Sequence, residues 1–98
     1  MTQAQISRED RPTEGRYVAK IPGVDAEAEL VYSRSDSRLI VAEHTEVPDA
    51  FRGQGIGRLL VTRLVDDARA EGVKIRARCP YVKAESRKHP EWADVFQD

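Results

Sequence analysis

Residues 44–57 read HTEVPDAFRGQGIG, and the pattern of side chains changes within them. A strand-like run ends at Val47, and Pro48 interrupts it. Three glycines then fall within five residues, at positions 53, 55 and 57. From Ile56 onward the apolar residues recur every three to four positions, which is typical of an amphipathic helix. This segment therefore predicts a strand, a glycine-rich turn and the beginning of a helix.

The sequence after the glycines predicts a helix, a strand and a second helix. The first helix should end at Gly72, a typical C-terminal stop. Residues 73–79 alternate between apolar and mostly basic side chains, which predicts a strand. Pro80 suits the first turn of a second helix, which we expect to end before Pro90. The apolar stripe of the first helix consists of Ile56, Leu60, Leu64 and Ala68.

The sequence before the glycines predicts three strands, at residues 16–21, 26–32 and 39–47. Their connections are too short for a crossover, so we expect an antiparallel meander. Residues 1–15 are polar and lack periodicity, which predicts a flexible tail ahead of one domain at residues 16–98.

The predicted element order is β-β-β-α-β-α, in which a strand, a helix and a further strand form a crossover unit. The fold class is therefore α/β (α+β), with a mixed, mostly antiparallel sheet of about four strands and two main helices. The last strand should be parallel to the third.

Composition excludes several classes of protein. The 98 residues carry 16 Lys and Arg and 17 Asp and Glu, a net charge of −1, which argues against a nucleic-acid partner. No apolar run is long enough to span a membrane. The single cysteine, Cys79, excludes an internal disulfide and favours a cytoplasmic location. With two histidines beside it, a zinc site is not expected, so we predict no metal.

The near-zero total conceals an uneven distribution of charge. Residues 1–49 hold 6 basic and 10 acidic side chains, whereas residues 52–88 hold 10 basic and 4 acidic ones. An anionic ligand is therefore expected at the second region.

The glycine-rich turn is the candidate anion site. Glycines let backbone N–H groups approach an anion, and a helix N-terminus adds partial positive charge. Arg52 and Arg58 flank the turn and could pair with phosphate oxygens. The spacing of the glycines does not fit a dinucleotide-binding fingerprint, and no Walker A lysine is present. The glycines could instead serve only a tight corner between strand and helix.

Arg52-x-x-Gly55-x-Gly57 resembles the acetyl-CoA signature (Gln/Arg)-x-x-Gly-x-(Gly/Ala) of the GNAT acetyltransferases. Together with residues 44–48, CPYV at 79–82 and HPEW at 89–92, it resembles the small single-domain GNAT-like family of predicted N-acetyltransferases. The resemblance covers roughly residues 26–96. It implies a compact, truncated GNAT-like fold that binds acetyl-CoA or coenzyme A.

The resemblance also implies how the cofactor is held. Loop amides would bind the pyrophosphate, and the β-strand backbone at Glu46 and Val47 would pair with the pantetheine arm. Lys83, Arg87 and Lys88, on the second helix, could meet the adenosine phosphates or simply form a solvated helix face. The implied cofactor-binding residues are Glu46, Val47, Arg52, Gly53, Gln54, Gly55, Ile56, Gly57, Arg58, Lys83 and Arg87.

Two side chains are catalytic candidates. Cys79 precedes a helix, where the positive end of the helix favours the reactive thiolate, so it could carry the acyl group. It could equally be a small buried core residue. His44 ends the third strand and could deprotonate an amine or the Cys79 thiol, or serve only as a strand residue. Glu43 and Glu46 are alternative bases, and in a regular strand Glu43 and His44 would lie on opposite faces.

The resemblance therefore implies an N-acetyltransferase that moves acetyl to an amine, directly or through Cys79. The acceptor could be a small molecule or a protein. The alternative is a non-catalytic module that binds or senses CoA or acetyl-CoA, because elements that form much of the acceptor pocket in larger GNAT enzymes have no counterpart in this sequence. The helix after the cysteine also departs from the resemblance, since relatives often have an aromatic residue where this chain has Glu85-Ser86. We expect a monomer or a weak homodimer.

Overall fold

The structure is a computed structural model that describes residues 4–97, and it contains one five-stranded sheet with two helices. The strands lie in the order β1-β2-β3-β4-β5, antiparallel except for the parallel pair β4–β5. The predicted fold class and the parallel last strand are confirmed. The elements are β1 Gln5–Asp10, β2 Glu14–Lys20, β3 Glu27–Asp36, β4 Leu39–Glu46, α1 Ile56–Glu71, β5 Lys74–Ala77 and α2 Pro80–Lys88, with short 3-10 helices at Asp49–Phe51 and Pro90–Trp92.

The prediction of a flexible tail over residues 1–15 is wrong for Gln5–Asp10, which form β1 on the edge of the sheet. This strand has one apolar side chain, Ile6, so its sequence gives no alternating pattern. In this strand the contacts with the core come from the polar residue Arg8. Its guanidinium lies 5.3 Å from the ring centres of both Tyr17 and Tyr32. Residues 1–3 of the predicted tail lie outside the described residues.

Hydrogen bonds tie this edge to the first helix. Arg8 donates to the Tyr32 hydroxyl (2.9 Å) and to Glu71 of α1 (2.5 Å). The Tyr17 hydroxyl donates to Asp67 of α1 (2.8 Å). Burial and this bond to a carboxylate raise the pKa of the Tyr17 phenol. The charged residues of β1 and α1 thus close the core where the sheet has no further strand.

One face of the sheet packs against the helices and forms the core. Strand residues of this helix face alternate with half-buried or exposed ones, as in β3, where Ala28, Leu30 and Tyr32 are buried. The predicted stripe of α1 is buried against them. Gly72 ends α1 in the left-handed conformation (φ 71°), as predicted. The other side, here called the second face, carries the side chains of the intervening strand residues.

No helix within residues 4–97 is long and apolar enough to cross a membrane.

Candidate functional site

The sheet divides where β5 ends. β5 pairs with β4 only from Leu39 to Ala42. Beyond that point, the N–H groups of Arg78 and Cys79 both donate to the carbonyl oxygen of Ala42, each at 3.0 Å. The chain then enters α2 while β4 continues beside β3 to Glu46. A gap therefore opens between the last residues of β4 and the start of α2.

The strand β4 contains an extra residue at the point where the sheet divides. Val31 pairs with His44, but the next β3 residue, Tyr32, pairs with Ala42, so Glu43 is left over as a β-bulge. The Glu43 carboxylate accepts a hydrogen bond of 2.6 Å from Ser33, a residue of the second face.

The bulge changes which face the candidate bases occupy. His44 pairs with Val31, and both Val31 and Ser33 alternate with the buried residues of β3. Glu43 and His44 therefore both belong to the second face. The expectation that these two residues lie on opposite faces holds only for a regular strand and is wrong here. Glu46, paired with Glu29, lies on this face as well.

The glycine-rich turn lies at the same end of the sheet as the gap. Gly53 and Gly55 have φ angles of 81° and 69°, in the left-handed region that favours glycine. A Cβ on either residue would meet nothing within 4 Å, so the space beside both glycines is open. The turn is closed from within, since the Gln54 side chain donates to the Ala50 carbonyl at 3.4 Å.

The first helix begins directly at this turn. Gly55 is its N-cap and offers no side chain to the first-turn amides, and the first turn contains no acidic residue. The first N–H groups of an α-helix lack partners within the helix, so those of Ile56, Gly57 and Arg58 are available to an anion. The predicted anion site has the backbone geometry that this chemistry needs.

Gly57 has a different role from the other two glycines. It is buried in α1, and a Cβ there would lie 2.7 Å from Cζ and 3.0 Å from Cε2 of the Tyr81 ring. Tyr81 is 40% exposed, and its partial burial, with Glu85 nearby, raises the pKa of its phenol. Gly57 thus lets the Tyr81 ring of α2 lie close against the first turn of α1.

Two arginines flank the turn, as predicted, but both are already paired. Arg52 is 81% exposed and donates to Asp49 at 2.7 Å. Arg58 is 62% exposed and lies 3.5 Å from the carboxylate of Glu85, whose side chain is only 4% exposed. Lys88 lies 3.4 Å from the same carboxylate. A ligand phosphate at this turn would meet Arg52 and Arg58, and the neighbouring carboxylates would partly offset the attraction of these two cations.

Sequence reasoning singled out position 85 only as a departure from the family pattern, and did not place Glu85 in the site. The available signal was its spacing from Tyr81, since residues four apart share one helix face. The same geometry separates the predicted phosphate contacts. Lys83 lies about 200° around α2 from both Tyr81 and Glu85, and Arg87 follows Lys83 by one turn. Helix geometry therefore puts these two on the side of α2 away from the glycine turn, whereas Lys88 lies beside Glu85.

Cys79 closes the inner end of the gap. Its thiol lies 3.4 Å from the hydroxyl oxygen of Thr45, and the residue is 5% exposed. Thr45 pairs with Leu30 and so belongs to the helix face, opposite to His44. The two catalytic candidates, Cys79 and His44, are thus separated by the plane of the sheet. Thr45 is a site residue that the sequence analysis missed, although the alternation along β4 was its signal.

The site consists of a strand edge, a glycine-rich turn and a helix N-terminus, which follow one another along the chain. Such an arrangement suits an extended ligand with peptide-like amides at one end and phosphates at the other, as coenzyme A has. Within residues 4–97, no group of three or more His, Cys, Asp or Glu side chains is arranged to hold a metal ion.

A mixed sheet that divides beside a glycine-rich turn at a helix N-terminus is the α/β arrangement that the resemblance to acetyltransferases implies. The chain belongs to the GCN5-related N-acetyltransferase family, whose model matches residues 16–95. It is similar to Protein NATD1 of Homo sapiens, with 31% identity over 75 residues that cover 76% of this chain and 66% of NATD1. The Gallus gallus NATD1 protein is also 31% identical over 75 residues, covering 76% of this chain and 68% of its own length. The family resemblance is confirmed, and it supports acetyl transfer as the class of activity.

Solved structures show the same fold. The NMR structure of a GCN5-like protein from Staphylococcus aureus has a TM-score of 0.74 and 29% identity, covering 99% of this chain and 91% of that chain. Nourseothricin acetyltransferase has a TM-score of 0.61 and 28% identity, covering 80% of this chain and 50% of its own. Aminoglycoside N-acetyltransferase AAC(6′)-Iy, solved in complex with CoA, shares the fold at 16% identity, with a TM-score of 0.56 over 91% of this chain and 63% of its own.

Proposed function

We propose that this protein binds acetyl-CoA and transfers its acetyl group to an amine. The observation that carries the proposal is the continuity between the β4 edge beyond Ala42, the glycine-rich turn and the open first-turn amides of α1 at residues 56–58. The exposed edge suits the pantetheine amides, and the N-terminus of α1 suits the pyrophosphate. The roles of the individual residues are part of the proposal.

When bound, acetyl-CoA would supply a thioester: attack by the amine nitrogen forms a C–N bond, the C–S bond breaks, and coenzyme A leaves as its thiol after taking up a proton. The residues of this chain have to hold the acetyl end in the gap and remove a proton from the amine. His44 and Glu46 are exposed on the second face, and Glu43 lies beside them. An amine that approaches from this face meets a general base directly or through one water molecule.

We favour direct attack by the amine over a path through acetyl-Cys79. The Cys79 thiol is buried on the helix face and contacts Thr45, whereas His44 belongs to the second face. The covalent path needs a base next to the thiol. The side chain that this thiol contacts within residues 4–97 is Thr45, whose hydroxyl group is a poor base at neutral pH.

A first experiment tests cofactor binding by isothermal titration with acetyl-CoA. We expect binding at sub-millimolar concentration, and about threefold to tenfold weaker binding for Arg52→Ala, because an exposed ion pair contributes modestly. Lys20→Ala removes the same charge from an exposed site on β2 and should leave the affinity unchanged. Absence of binding by the unmodified protein would overturn the proposal.

A second experiment separates the routes and the alternative function. Release of the CoA thiol is measured with a panel of amines, from small polyamines to lysine peptides and free peptide N-termini. Direct transfer predicts that Cys79→Ala keeps turnover and that the protein gains no acetyl mass. Loss of turnover together with an acetyl adduct that requires Cys79 would establish the covalent route. Binding of acetyl-CoA without turnover of any amine would favour the alternative, a non-catalytic module that senses CoA.

A further inference from the structure

The hydroxyl group of Tyr81 lies at the N-terminus of α1. A Cβ on Gly57 would be closer to this oxygen than to any other atom of α2, and it would lie 2.7 Å from Cζ of the same ring. A carbon–carbon bond is about 1.5 Å long, so the hydroxyl oxygen is within about 4 Å of the Cα of Gly57. Gly57 is the second residue of α1, which puts this oxygen beside the first turn of the helix.

The same hydroxyl lies toward the open end of the helix. In an α-helix each Cα–Cβ bond tilts toward the helix N-terminus. The Tyr81 oxygen is next to the place that a Cβ of Gly57 would take, so it lies over the first turn. The N–H groups of Ile56, Gly57 and Arg58 lack partners within the helix and point in the same direction. The hydroxyl and these three amides therefore border one space.

The Tyr81 hydroxyl is also available as a hydrogen-bond donor. The other two tyrosines use theirs within the protein, since Tyr17 donates to Asp67 at 2.8 Å and Tyr32 donates to Asp10. In the part of the chain that the structure describes, the Tyr81 hydroxyl has no such partner. Burial, and to a lesser extent the nearby carboxylate of helix α2, raise the pKa of this phenol, so its O–H group stays protonated at neutral pH.

Packing explains the ring of Tyr81 but not its hydroxyl, because a phenylalanine would place the same ring against Gly57. The carboxylate of Glu85 does not take the hydroxyl hydrogen either. Its oxygens lie beside Arg58 at 3.5 Å and Lys88 at 3.4 Å. Tyr81 is 40% exposed, so a ligand can reach its side chain from solvent. The hydroxyl is therefore a donor that borders the anion site and is not used within residues 4–97.

We propose that the Tyr81 hydroxyl donates a hydrogen bond to a phosphate oxygen of the coenzyme A pyrophosphate at the N-terminus of α1. The inference rests on the proposed function and adds a side-chain donor to a site built from backbone amides. The pyrophosphate is then held from two elements, by the first-turn N–H groups of α1 and by a hydroxyl of α2.

The test is isothermal titration of the full chain with coenzyme A, in which the unmodified protein is compared with Tyr81→Phe. This substitution keeps the ring against Gly57 and removes only the hydroxyl. We expect about tenfold weaker binding, as for the loss of one hydrogen bond to a charged group. The Tm should change by less than about 2 °C, because the hydroxyl has no partner within residues 4–97.

Tyr17→Phe is the matched control. It makes the same chemical change at a hydroxyl that donates to Asp67, in the C-terminal half of α1 and away from the glycine-rich turn. It should lower the Tm by about 4–8 °C, the effect of one lost hydrogen bond in a domain of this size. Its affinity for coenzyme A should stay within about twofold of that of the unmodified protein.

Dephospho-coenzyme A identifies the phosphate group that is bound. This compound keeps the pyrophosphate and lacks the phosphate on the ribose, so Tyr81→Phe should weaken its binding about tenfold as well. Three results would each overturn the inference and leave coenzyme A binding intact: full affinity of Tyr81→Phe, a loss confined to coenzyme A, or a Tm decrease as large as that of Tyr17→Phe. Absence of binding by the unmodified protein would instead overturn the proposed function.

Discussion

Replacement of Gly57 by alanine tests whether this glycine serves packing or ligand binding. A Cβ at this position would lie 2.7 Å from Cζ of Tyr81, so the ring has to move outward. Tyr81 is 40% exposed, which means that about three fifths of the side chain's surface is buried in the native protein. The substitution therefore has two opposing effects on stability. It favours the helical conformation of α1, and it removes contact between α1 and α2.

The two effects have comparable magnitudes. Alanine in place of glycine within a helix gains about 0.5–1 kcal/mol, less at a first turn than at the centre. An aromatic side chain buries roughly 200 Å², and losing about half of what Tyr81 buries costs ~1.5 kcal/mol at about 25 cal/mol per Å². We expect Gly57→Ala to lower the free energy of unfolding by about 0.5–1 kcal/mol. In a Tyr81→Ala background the same change should raise it by about 0.5–1 kcal/mol.

The measurement is a double-mutant cycle by urea denaturation, for which a domain of this size is expected to unfold in one step. The expected coupling energy between positions 57 and 81 is about 1.5 kcal/mol. Gly55→Ala is the matched control. Its φ of 69° costs about 1–2 kcal/mol for a residue with a side chain, with or without Tyr81. A coupling energy below about 0.5 kcal/mol, within ordinary additivity, would refute the packing role of Gly57.

Three further predictions concern the rest of the chain. Arg8→Met should lower the free energy of unfolding by about 2 kcal/mol, because it removes a largely buried partner of two tyrosine rings and Glu71, whereas a flexible tail would show no change in urea denaturation. Hydrogen bonds from Arg69 hold the pKa of the Asp94 carboxyl below its usual 3.8, so this pair adds stability that is present above about pH 4 and lost as the pH falls further. Between pH 5 and pH 3 the Tm of Asp94→Asn should accordingly fall less than the Tm of the unmodified protein, as thermal unfolding would show. Alkylation of Cys79 by iodoacetamide, followed by intact mass, should be at least about tenfold slower in the native protein than in urea.

The fold was predictable wherever the core is built from apolar side chains. The stripe of α1, the stop at Gly72 and the alternation of β3 each have one physical explanation, and the structure agrees with them. β1 was not predictable, because Arg8 occupies a position at which pattern reasoning looks for an apolar residue. The hydrogen bonds of Arg8 to Tyr32, Asp67 and Glu71 join residues that lie 24, 59 and 63 positions apart in sequence.

The sequence indicated which residues form the candidate site better than it indicated how these residues are arranged in space. The glycine turn follows from local chemistry, since a positive φ selects glycine at positions 53 and 55. The bulge at Glu43 does not, because it depends on the register between β3 and β4. One extra residue moves Glu43 and His44 to the same face, and it leaves Thr45 beside Cys79.

The distribution of charge around the glycine turn indicates that the backbone dominates this site. Arg52 and Arg58 are both well exposed and both lie beside a carboxylate. Each therefore contributes little to anion binding on its own. The N–H groups at the start of α1 are fixed by the helix, and neither the N-cap Gly55 nor an acidic residue of the first turn competes for them. Substitutions that alter the loop backbone, such as those at Gly53 and Gly55, should consequently weaken cofactor binding more than removal of either arginine. In the sequence, the glycines of this segment therefore indicate an anion site more strongly than the two arginines do.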